Sequence, residues 1–197
     1  MAQVRGLSGP QLHASQVYRQ VLAGAQRAGY LRGVRTPPPL VFGAPPGIAF
    51  TGQPAYAQAY VGRSEANSPY AGAIGFSPSL VSDLTSPGNR DYGLGVIVHE
   101  LAHTRQNRSA LSNPAWTEGG ADAFARVAAT PAIRASGLTQ GFYPGAGSYT
   151  PLVQAVRDSF VKRWILQGQF DPRAHWEDFQ PMGPPLPPNR GFIGGQR

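Results

Sequence analysis

The residues most capable of chemistry are His99, Glu100 and His103, in the run His99-Glu100-Leu101-Ala102-His103. On an α-helix, positions i and i+4 share one face, a turn apart. Two imidazoles so placed can both reach one zinc ion, with Zn–N bonds of about 2.0–2.1 Å. A carboxylate beside the first can take a proton from metal-bound water and pass it to a leaving nitrogen. The plain alternative is a buried histidine pair with Glu100 as a surface carboxylate. That would bury two imidazoles with few polar partners, which costs free energy.

A catalytic zinc needs a third protein ligand and an open fourth position. The chain has no cysteine, which excludes thiolate ligands, disulfides and a thiol nucleophile. The metzincin arrangement needs glycine at 106 and histidine at 109, where this chain has Gln106 and Ser109. The remaining option is a carboxylate on a following helix. Glu118 stands fifteen residues after His103, enough for a turn and a returning helix. Gly119, Gly120 and Ala121 are small and would let the two helices approach closely. Asp122, one turn beyond Glu118, can accept a hydrogen bond from the far nitrogen of a zinc-bound histidine and fix its tautomer.

His99-Glu-x-x-His103 together with Trp116-Thr117-Glu118-Gly119-Gly120-Ala121 resembles the gluzincin metallopeptidases, in particular small members with a Trp-Leu-x-Glu-Gly-x-Ala type of helix. The resemblance is strong over Tyr92–Val127, weaker over Ser148–Gly168, and absent from the first seventy residues and the tail. Thr117, where leucine is common, is a small departure. The resemblance implies a zincin-like fold and zinc-dependent hydrolysis of peptide bonds. It implies His99, His103 and Glu118 as ligands and Glu100 as the general base. It further implies an oxyanion-stabilising residue before a later helix, a place held by Tyr149, with Tyr143 and His175 in reserve. An edge strand ahead of the metal helix, Ala71–Phe76, is expected to receive an extended peptide by β-addition, unless it is an ordinary core strand.

The elements that position these residues read as an α+β arrangement: an N-terminal helix, a small sheet, the active-site helix and a helical C-terminal part. Ser8 and Pro10 start a helix that Gly29 closes. Pro-rich 35–39 is a stiff connector. Leu40–Phe42, Ile48–Thr51, Tyr56–Val61 and Ala71–Phe76 read as short strands. Ser77–Leu84 is a short helix or a loop. The metal helix runs from a capping Asp91 to about Asn107. A second runs from Asn113-Pro114 to about Ala128, and Thr130-Pro131 starts a separate turn of helix that Gly137 stops. Gln140–Gly147 is a loop. Thr150-Pro151 opens an amphipathic helix ending at Gly168, with Leu152, Val153, Val156, Phe160, Val161, Trp164 and Ile165 as its apolar stripe. Arg157 and Asp158 read as its solvated face, and Trp116 and Trp164 as core. Asp171-Pro172 begins a last short helix with Trp176 and Phe179.

A single metallopeptidase domain over residues 1–179 follows, with an N-terminal lobe to about 107 and a helical lobe over 108–179. Residues 180–197 form a Pro/Gly-rich tail, extended where proline is dense. Net charge is +7, from sixteen arginines and one lysine against ten acids, with no tight basic run. Nucleic acid is not an expected partner, since no reading motif accompanies the charge. A peptide or protein substrate is. No signal peptide and no membrane span are expected, which suits a cytoplasmic or virion-associated protein. The alternative is an assembly component that keeps a zincin core among partner subunits, such as a phage tail-associated peptidase, suggested by the Gly/Pro-rich loops and tail.

Overall fold

The computed structural model describes residues 6–31, 37–43, 55–60, 70–106, 114–138 and 150–163. Within them lie α1 (Gly9–Arg27), β1 (Leu40–Phe42), β2 (Ala57–Ala59), β3 (Ile74–Phe76), α2 (Pro78–Thr85), α3 (Arg90–His103), α4 (Pro114–Ala135) and α5 (Pro151–Val161). The architecture is α+β: five helices and a three-stranded mixed sheet among the described residues. No described helix is long and apolar enough to cross a membrane. The expected strand at 48–51, the loop at 140–147, the end of the last long helix, the helix at 171–179 and the tail all lie outside the described residues.

Local signals account for most helix starts. Ser8 caps α1 in a reciprocal box with Gln11, its hydroxyl accepting from the Gln11 N–H and its own N–H donating to the Gln11 side chain. α1 ends in a paired closure. Gly29 (φ +89°) donates to Gln26, and Tyr30 donates to Ala25 at 2.8 Å. Ser77 caps α2 and Thr150 caps α5, each with proline in the first turn. α3 starts one residue earlier than expected. Asn89 holds the cap position without a side-chain bond, and Asp91 sits inside the first turn, where its charge suits the helix dipole.

Pro131 does not begin a new helix. It lies inside α4, which runs unbroken to Ala135. An interior proline costs about 3 kcal/mol in an exposed helix. Here the flanking Ala128, Ala129, Ala132 and Ile133 are all fully buried, and that packing holds the winding. Gly24 of α1 lets the crossing be close: a Cβ there would stand 2.2 Å from the Ala132 carbonyl oxygen. The Arg27 guanidinium then grips the last carbonyl of α4, that of Ala135, at 2.9 and 2.5 Å.

β3 is the middle strand, in the order β1-β3-β2, parallel to β1 and antiparallel to β2. It is buried throughout, while both neighbours are half-buried. The segment expected to be an edge, 71–76, is therefore paired on both sides. Among the described residues, the strand beside α3 that has an outer edge is β2. One buried cluster extends from Ala14 through Ile74, Phe76, Leu94 and Phe124 to Phe160, so the first helix, the sheet and the C-terminal helices share a core.

Candidate metal centre

α3 is buried over every residue from Gly93 to His103. A helix apolar on all sides is a core helix, and this one carries His99, Glu100 and His103 into the interior. α4 returns alongside it and presents Glu118. The Nε2 atoms of His99 and His103 stand 3.0 Å apart. Oε2 of Glu118 stands 3.4 Å from the first and 3.6 Å from the second. The Glu100 carboxylate belongs to the same cluster, with one atom from each of His99, Glu100 and His103 all within 4.8 Å of one another. Glu118 keeps 25% of its side chain exposed, against 5% and 8% for the histidines, so the cluster opens toward solvent on the Glu118 side.

A group of this kind could hold a metal ion. Ligand atoms around a tetrahedral zinc with bonds of 2.0–2.2 Å stand roughly 3.3–3.6 Å from one another. The two separations from Glu118 fall within that spacing, and the one between the imidazoles, 3.0 Å, is a little shorter. Two imidazole nitrogens and a carboxylate oxygen this close converge on a common point, and their lone pairs repel unless something electropositive lies between them. A proton can serve, and so can a cation. Burial opposes protonation of His103, yet the Glu118 carboxylate beside it prevails and lifts the ring to about 9. Burial would raise Glu118, but His103 and His99 hold it well below the usual carboxylate range. Glu100 is shifted the other way. Burial raises it, against the pull of the two histidines and of the Ala59 N–H that donates to its carboxylate.

Tyr149, Tyr143 and His175, the oxyanion candidates, lie outside the described residues. Asp122 is fully buried, and its Oδ2 takes ion pairs from Arg126 (3.6 Å) and Arg157 (3.5 Å). The ring of His103 is oriented by Gln106, whose Oε1 lies 2.7 Å from Nδ1. Arg157 is thus not a solvated residue: it is buried on α5 and reaches Asp122, while its neighbour Asp158 is exposed. An arginine among apolar residues on a capped helix was the signal for this. Gly119 also serves another helix than expected. A Cβ there would stand 2.8 Å from Val156 Cγ1 and 2.9 Å from the Val153 carbonyl oxygen, so its smallness seats α5 on α4. Trp116 is half-buried against the core, edge-on to Phe160 at 5.4 Å.

No protein family, curated protein or solved structure matches the chain.

Proposed function

We propose that this chain is a zinc-dependent peptidase of the gluzincin type on a zincin-like fold. The observation that carries the reading is the triangle of Nε2, Nε2 and Oε2 atoms with sides of 3.0, 3.4 and 3.6 Å, with Glu100 beside it. His99, His103 and Glu118 would hold the metal. Zinc bound there supplies Lewis acidity toward a peptide carbonyl and lowers the pKa of water. Glu100 accepts the proton of the attacking water on its carboxylate and delivers it to the departing amine nitrogen. Its burial raises its proton affinity, which suits a group that must both take and return a proton.

The substrate strand belongs on β2 rather than on β3. The carbonyl of Tyr56 and the N–H of Tyr60 bond across to the β3 side, so the alternate residues Ala57 and Ala59 turn their backbone groups outward. The N–H of Ala59 meets Glu100, which puts that outer edge next to the base. An extended peptide added there would run past the cluster on small side chains.

Metal content and turnover test the reading together. Purified wild-type protein should carry about one zinc per chain, and Glu118→Ala far less. Hydrolysis of a mixed peptide pool should stop on chelation and in Glu100→Gln. Zinc-loaded protein inert toward every pool would leave the metal site standing and sink the peptidase, favouring an assembly role.

A further inference from the structure

The carbonyl oxygen of Thr117 can only accept a hydrogen bond. The amide Nε2 of Gln106, 2.6 Å away, must therefore face it and donate. That orientation turns Oε1 of the same amide toward Nδ1 of His103 at 2.7 Å. An amide oxygen also only accepts, so Nδ1 carries the proton. In the neutral ring the lone pair then belongs to Nε2, the atom that faces His99 and Glu118. One acceptor-only carbonyl at the start of α4 thus determines which nitrogen of His103 is left to bind.

The chain conformation makes this possible. α3 stops at His103 and tightens: Arg105 N–H donates to Ala102 at 3.0 Å, and Gln106 N–H donates to His103 at 3.2 Å. In such an i→i+3 winding, side chains three apart lie nearly eclipsed. Residue 106 is thereby carried beneath the ring of residue 103, and its buried amide spans from there to the residue preceding Glu118.

We infer that Gln106 is a positioning residue, which locks His103 in its metal-binding tautomer and joins that ring to the helix bearing Glu118. The inference rests on the zinc reading of the site. Zinc dissociation constants, measured by competition with a chromophoric chelator, test it on wild type, His103→Ala, Gln106→Leu and Gln106→Glu. Gln106→Leu removes both bonds and should weaken zinc by about 10–100-fold. Gln106→Glu loses the donor to Thr117 but keeps an acceptor for Nδ1–H, and should hold zinc more tightly than Gln106→Leu. If the amide only packed α3 against α4, both variants would weaken zinc alike. That result, or a Gln106→Leu protein binding as tightly as wild type, overturns the inference. Wild type binding zinc no more tightly than His103→Ala overturns the metal reading itself, and this inference with it. Nitrogen NMR of the zinc-loaded protein reads the tautomer without a substitution: the proton should sit on Nδ1 of His103, and metal found on Nδ1 contradicts the assignment.

Discussion

α4 carries two carboxylates one turn apart, and they are held in opposite ways. Asp122 is fully buried between Arg126 and Arg157, whose guanidinium charges are permanent. Glu118 is partly open to solvent and faces two imidazoles, whose charge depends on pH and on what binds them. The first pairing is structural because nothing about it can be exchanged. The second is fit for a ligand because its positive charge is replaceable. The difference lies in the partner's chemistry: Arg157 comes from α5 and the imidazoles from α3, while Arg126 lies on α4 itself.

Removing each acid should therefore produce different defects. Asp122→Ala leaves the buried Arg157 guanidinium with only the exposed Asp158 as its acid, and should cost about 3 kcal/mol in urea unfolding, with or without zinc. Glu118→Ala should cost the metal-free fold only its smaller pairing with His103, and should abolish the gain from metal. Wild type in zinc at about a thousand times its dissociation constant should gain about 4 kcal/mol, and the variant at that concentration almost nothing. A Glu118→Ala protein still stabilised by zinc would erase the contrast. Gly119→Ala, between the two acids, drives a methyl into Val156 and the Val153 carbonyl and should cost about 1–3 kcal/mol through α5 alone.

The smallest effect is a pH dependence confined to the replaceable pair. In metal-free protein, His103 titrates at about 9, above its ordinary 6.5. Its contribution to stability is complete below 6.5 and is lost as pH rises through 9. Glu118, depressed below 4.5, contributes above that value and loses its effect as pH falls through its folded one. Urea midpoints of chelator-treated protein should fall between pH 7 and pH 10 in wild type. Glu118→Ala should flatten that fall, since the carboxylate that lifts His103 is gone.

What could be read from the sequence was local. The imidazole pair, Glu100 and Glu118 follow from helical spacing, and Ser8, Ser77 and Thr150 are capping residues where helices begin. What could not be read was set by partners distant in sequence. Strand order is decided by which segments meet, so 71–76 gives no sign of being flanked on both sides. Pro131 carries a strong local signal for a helix start, and burial against α1 overrides it. Gln106 matters through His103 and Thr117 together, and only the folded turn brings them to one amide. Arg157 looks solvated until α5 lies on α4 and Asp122 comes within reach.

The grip of Arg27 on the Ala135 carbonyl has a consequence for the far end of that helix. α4 is tethered near its start through the Thr117 carbonyl and at its finish through Ala135, by side chains from the turn after α3 and from α1. A rod fastened at both ends cannot creep lengthwise. Slippage by a single residue, about 1.5 Å, would carry the Glu118 oxygen out of range of both rings. The bite of the proposed metal-binding triangle is thus built into the scaffold, and loosening α1 should blunt it from afar.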